Sequence, residues 1–145
     1  MNIAIFPGSF DPFTIGHADI VRRGLQLFDR IIVAIGYNAQ KANATAVEER
    51  AQAIARIYSD EPRVDVVAYT GLTVDLARRT GAGFLLRGVR SVKDFEYERD
   101  MAAVNHDLDA LETILLIADP RYAHVSSSLV RELQSYGRDV TNYLP

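Results

Sequence analysis

Short, mostly apolar runs alternate along this chain with longer stretches of helical spacing. The runs are Asn2–Phe6, Arg30–Tyr37, Val64–Ala68, Phe84–Leu86 and Thr113–Ile117. They are rich in isoleucine, valine and leucine, the pattern of parallel strands buried on both faces. Between them, His17–Phe28 carries Ile20, Val21, Leu25 and Phe28 on one helical stripe. Thr45 and Glu48 have capping-box spacing, and Val47, Ala51, Ile54 and Tyr58 continue at helical intervals. A short helix over Thr73–Arg79 is expected to close at Gly81 through a left-handed glycine. Asp94–Leu108 puts Phe95, Met101, Ala102, Asn105 and Leu108 on one face. Ser126–Tyr136 has an apolar side of Leu129, Val130 and Leu133 and ends at Gly137, and Asp139–Leu144 adds a further turn. Gly8–Gly16 and Asn38–Ala44 read as loops.

Strict alternation of this kind predicts an α/β fold. The expectation is a Rossmann-like, doubly wound, five-stranded parallel sheet with helices on both faces, in one domain over residues 1–145. Such sheets bind ligands beyond the carboxyl ends of their strands, at a switch point. The residues there are Gly8–His17, Asn38–Lys41, Arg87–Arg90 and Asp119–Ser128. All four segments carry groups suited to phosphates.

Composition narrows the chemistry. The net charge of −3 argues against non-specific nucleic-acid binding, so any positive site is local. The absence of cysteine excludes disulfides, thiolate catalysis and Cys-zinc sites. No G-x-x-x-x-G-K-[ST] occurs, and no G-x-G-x-x-G follows the first strand, so P-loop and dinucleotide fingerprints are missing. His17, His106 and His124 are isolated and form no metal set. No apolar run approaches membrane-spanning length and no basic leader pattern opens the chain, so a cytoplasmic protein without a membrane partner is expected.

Each candidate group has a plain structural reading beside a functional one. His17 is either a capping histidine or a donor to a phosphoryl oxygen, next to Gly16, Pro12 and Asp11. Ser9 satisfies a turn or meets a ligand, and a lone Lys41 is most often solvated. Arg87 and Arg90 flank a glycine directly after an apolar strand, where a bidentate phosphate contact outweighs mere solubility. Asp94, Glu96 and Glu98 suit the start of a helix dipole, with Glu98 as a ribose or water binder the weaker claim. Ser126-Ser127-Ser128 is a good N-cap cluster whose amides and hydroxyls also suit a polyphosphate.

Three blocks resemble one known family. Gly8-Ser9-Phe10-Asp11-Pro12-Phe13-Thr14-Ile15-Gly16-His17 is similar to the G-[ST]-F-D-P-x-T-x-G-H signature of bacterial phosphopantetheine adenylyltransferases, a form of the T/H-x-G-H motif of wider nucleotidyltransferases. Leu86–Arg90 with Asp94–Glu98 resembles their R-G-[LV]-R-x-x-x-D-[FY]-E-Y-E block, and Val125–Arg131 their I-S-S-[ST]-x-[VI]-[RK] segment. The resemblance implies AMP transfer from ATP to 4′-phosphopantetheine, giving dephospho-coenzyme A and pyrophosphate. It also implies Mg²⁺, a homohexamer and feedback by coenzyme A.

By the same resemblance, Ser9, Lys41, Thr73 and Arg87 bind phosphopantetheine. Ser9, Phe10, His17, Gly88, Val89, Arg90, Glu98, Tyr122, Ala123, His124, Val125, Ser126, Ser127 and Ser128 bind ATP. His17, Lys41 and Arg90 are the catalytic set, His17 as transition-state stabiliser. Met101, Val104 and Asn105 fall where the family lines the pantetheine arm, a spacing that equally suits plain core. Two departures stand out. Lys41-Ala42-Asn43-Ala44-Thr45 lacks the family's common second lysine and aromatic, and the chain stops at Pro145 where many relatives carry a further helix. The rivals are transfer to another phosphate acceptor, such as nicotinate mononucleotide, and a non-catalytic nucleotide-binding regulator. Relatives of the first kind usually have His where this chain has Thr14.

Overall fold

In the computed structural model, which describes residues 1–41 and 43–145, the apolar runs are strands of one sheet. The chain runs β1 (Ile3–Gly8), α1 (Ile15–Gly24), β2 (Arg30–Gly36), α2 (Ala44–Ile57), β3 (Val64–Tyr69), α3 (Thr73–Thr80), β4 (Phe84–Val89), α4 (Val92–Asp109), β5 (Glu112–Ile117) and α5 (Ser127–Ser135). A 3₁₀ turn, Thr141–Tyr143, supplies the extra turn expected near the end. The sheet order is β3-β2-β1-β4-β5 and every pairing is parallel. The winding reverses between β1 and β4, where the open α/β rule puts a ligand.

Neighbouring residues of a strand face opposite sides, and here both sides are covered. Ala4, Phe6, Val33 and Leu86 join Ile20, Val21, Val47 and Ile54 in one apolar cluster, beneath α1 and α2. Ile5, Ile32, Ala34 and Leu85 join Val74, Leu76 and Ala77 in the other, beneath α3. This is why the strand runs show no polar alternation.

Several boundaries move, each for a local reason. β1 continues past the expected Phe6 through Pro7 and Gly8, the latter expected as loop, because they stay in register with Ala34 and Ile35 of β2. α1 starts at Ile15, two residues before the expected start, because Thr14 caps it and His17 completes the box. It ends at Gly24 rather than Phe28, in a turn closed by Leu27 N–H to Gly24 O. The Thr45–Glu48 box is replaced by Asn43, whose Oδ1 accepts from Thr45 N and Ala46 N. Ala42, within the expected loop, lies outside the described residues. α3 closes at Gly81 with φ 74°, as its glycine predicts. α4 starts at Val92 under a Ser91 cap and buries only Glu98. Its expected apolar face is not core: Phe95, Met101 and Leu108 are all exposed.

Candidate active site

β1 and β4 pair only at Ala4–Phe84 and Ile5–Leu85, whereas β1 pairs with β2 over six positions. Beyond Ile5 the two strands part, and a cleft of about 400 Å³ opens at their carboxyl ends. Arg87 of β4 reaches back across the gap, donating from Nη1 to the Pro7 carbonyl. Its Nε and Nη2 donate to Glu98 of α4, at 2.9–3.0 Å and 2.7 Å respectively.

His17 is held by its own helix cap. The Thr14 N–H donates to His17 Nδ1 at 2.9 Å, and the His17 N–H donates to Thr14 Oγ1 at 3.3 Å. A ring nitrogen that accepts from a backbone amide carries no proton, so the neutral ring carries its hydrogen on Nε2. Phe10, Phe13 and Phe6 enclose the ring, with centroids 5.0, 5.4 and 6.1 Å away. Burial, and then the charges of Arg90 and Arg87, push the imidazole down to about 4. At neutral pH His17 is therefore an uncharged donor.

The loop before it is clamped from two helices. Ser127 Oγ donates to Pro12 O at 2.7 Å and Arg131 Nη1 to Asp11 O at 2.6 Å, both from α5. Arg50 of α2 donates to Ser9 O at 3.0 Å. Within the clamped turn Phe10 adopts φ 47°, a left-handed conformation rare outside glycine. Its ring is buried against the Gly8 backbone, where a Cβ would come within 2.9 Å of it. Opposite, the first-turn amides of α5, at Ser127 and Ser128, have no intrahelical carbonyl to meet. Ser126 Oγ takes the Leu129 N–H at 3.0 Å, as the capping reading expects.

The cleft brings together Ser9, Phe10, His17, Arg87, Gly88, Arg90, Glu98, Tyr122, Val125 and Ser126–Ser128. Val89 is buried beside it, and Ala123 does not line it. His124 is exposed and faces the Tyr143 ring instead. A second cavity of about 220 Å³ shares Pro7, Gly8, Arg87, Tyr97 and Glu98 with the first. It holds Thr73, Met101 and Asn105, but not Val104. Thr73 Oγ1 lies 2.9 Å from Tyr69 OH, and Thr113 Oγ1, which lines the same cavity, is buried without a partner among the described residues. Lys41 sits in the turn after β2, exposed and outside both cavities.

Asp19 and Arg131 also line the cleft. Arg131 closes the Val125–Arg131 segment and follows Ser128 by three positions, one helical turn, whereas Asp19, two positions after His17, had no spacing signal to mark it. The cleft carboxylates are all paired. Asp19 meets Arg22 and Arg23, Asp94 meets Arg90, Glu98 meets Arg87, and Asp119 meets Arg121. Hydrogen bonds from Arg121 hold the Asp119 carboxyl down at about 2.

A family model described as cytidylyltransferase-like matches residues 5–133. The phosphopantetheine adenylyltransferase of Porphyromonas gingivalis is 56% identical over 144 residues, 99% of this chain and 94% of its own. That of Bacteroides fragilis is 47% identical over 145 residues, 100% of this chain and 97% of its own. That of Limosilactobacillus reuteri is 49% identical over 146 aligned positions, 100% of this chain and 84% of its own. Among solved structures, a bifunctional NMN adenylyltransferase/ADP ribose pyrophosphatase from Francisella tularensis superposes with a TM-score of 0.71. It is 17% identical and the match covers 99% of this chain and 44% of that one, a likeness of fold.

Proposed function

The chain belongs to the cytidylyltransferase-like family and, within it, to the phosphopantetheine adenylyltransferases, and from that premise we propose how its two cavities divide the work. ATP occupies the larger cleft and 4′-phosphopantetheine the smaller cavity, with Arg87 at their common wall. The observation that carries this reading is the convergence of His17, Arg90 and the α5 N-terminus on one cleft that shares Arg87 with a second.

The acceptor phosphate is ionised at neutral pH, so it needs no general base. One of its oxygens attacks the α-phosphorus of ATP. The bond from that phosphorus to the bridging oxygen of the β-phosphate breaks, and pyrophosphate leaves with the electron pair. Arg87 holds the acceptor phosphate in line. His17 donates from Nε2 to an α-phosphoryl oxygen as charge moves, and its neutrality keeps it a donor across the physiological range. Arg90 and the first-turn amides of α5 meet the leaving pyrophosphate. Lys41, outside the cavities, would reach the acceptor only after its turn folds inward.

The carboxylates of the cleft are paired with arginines, and among the described residues no three metal-ligating side chains cluster. That donor set does not make a resident metal site, so we place Mg²⁺ on the nucleotide and route no step through the protein's own carboxylates. Coenzyme A contains the acceptor's pantetheine arm, which supports competition for the second cavity as feedback. The exposed Phe95, Val104 and Leu108 of α4 support assembly as a homohexamer. Among the described residues no helix is long and apolar enough to cross a membrane, and the proposed place of the reaction is the cytoplasm.

An acceptor panel tests the reading. The protein is incubated with ATP, Mg²⁺ and either 4′-phosphopantetheine, nicotinate mononucleotide or nicotinamide mononucleotide, while pyrophosphate is followed. Release with phosphopantetheine alone is the expected outcome. ATP binding without release would favour a regulator, and release with a mononucleotide would reassign the acceptor.

A further inference from the structure

Among the described residues, Arg87 is the one cation that borders both cavities, and its guanidinium is already spoken for on one side. A guanidinium has five N–H donors in a plane. Nε and Nη2 engage Glu98 and Nη1 engages the Pro7 carbonyl. That leaves one N–H on each terminal nitrogen, the two donors that can meet a phosphate bidentately. Glu98 is 7% exposed, the only buried residue of α4, and both of its oxygens accept from Arg87. Oε1 accepts from both Nε and Nη2 and Oε2 from Nε, so the carboxylate grips one edge of the guanidinium.

We infer that Glu98 is a positioning residue for the acceptor: it acts through Arg87, fixing the guanidinium plane so that its two remaining donors face the phosphate of phosphopantetheine. This inference rests on the adenylyltransferase reading. It differs from a direct contact between Glu98 and ATP, and it has a sign that a purely electrostatic account lacks. By charge alone, Glu98 opposes an arriving anion, so neutralising it should tighten acceptor binding. By orientation, losing it frees the guanidinium to rotate away, and acceptor binding weakens.

Steady-state kinetics with ATP and phosphopantetheine varied separately tell these apart. Glu98→Gln is expected to raise the acceptor KM about tenfold, a larger rise than in the ATP KM. In an Arg87→Ala background the same change should have no further effect on the acceptor KM, because the residue it acts through is gone. An acceptor KM that falls or stays level, a rise confined to ATP, or full additivity with Arg87→Ala each overturns the inference. Circular dichroism and thermal unfolding establish that the variants fold. Should Glu98→Gln fail to fold, Glu98→Asp keeps the charge and withdraws it by one methylene. Its acceptor KM rises if orientation matters and stays level if only charge does. A wild-type protein that releases no pyrophosphate with phosphopantetheine removes the premise, and the inference falls with it. Turnover with a different variant pattern removes the inference alone.

Discussion

At the scale of single residues, His17 joins folding to chemistry through one hydrogen bond. The Thr14 amide that completes the helix cap also chooses the ring tautomer, putting the proton on Nε2, the donor that the proposed mechanism uses. Enclosure by three phenylalanines and two nearby arginines holds the folded pKa at about 4, below the 6.5 of the free side chain. The sign of the linkage follows. The unfolded chain takes up this proton more readily, so the contribution of His17 to stability is complete above pH 6.5 and is lost as pH falls towards 4. His17→Ala is expected to lower kcat by about 10²–10³ while the protein remains folded. The same variant should lose less urea stability than wild type between pH 6.5 and 4. Near-normal turnover, or parallel pH-stability curves, would remove this role. The position of His17 was readable from its place after the first strand, because local sequence builds that turn. The Arg87–Glu98 pair was not, since it depends on how α4 docks across β4, and no spacing within one segment encodes that.

At the scale of elements, the site depends on close packing between α1 and the sheet. Gly24 ends α1 where a Cβ would lie 2.6 Å from Leu86 Cδ2 and 2.8 Å from Ile31 Cδ1, both on fully buried side chains. Gly24→Ala should therefore force α1 outward and destabilise the fold by about 1–3 kcal/mol. Thermal unfolding would read this as a lowered Tm, and an unchanged Tm would show that the interface can give. The strands and helices themselves were legible because both faces of the sheet are covered, so that apolar runs and helical stripes are unambiguous. Helix starts were less so. Asn43 and Ser91 cap by side-chain geometry, which outranks the Thr45–Glu48 spacing and shifts α4 two residues earlier. The apolar face of α4 misled for a different reason: periodicity records that a surface is apolar, not that this chain alone covers it.

At the scale of the molecule, the order β3-β2-β1-β4-β5 turns a single departure of two central strands into two adjoining chambers, which the proposed reading gives to two anionic ligands. The larger of them gathers positive charge in an acidic chain. Arg87, Arg90 and Arg131 line it against Asp19, Asp94, Glu98 and Asp119, and Arg22, Arg23 and Arg121 pair with two of those carboxylates, in a chain whose net charge is −3. Six arginines thus stand against four carboxylates at one mouth. An arriving polyanion is drawn there and repelled by the rest of the surface. Between low and physiological ionic strength, at saturating Mg²⁺, kcat/KM for ATP should therefore fall as salt screens that attraction. An unchanged kcat/KM would mean that recognition begins only within hydrogen-bonding reach. In a crowded solution of phosphorylated metabolites, other anions are drawn to the same mouth, and the shape of the cleft does the sorting.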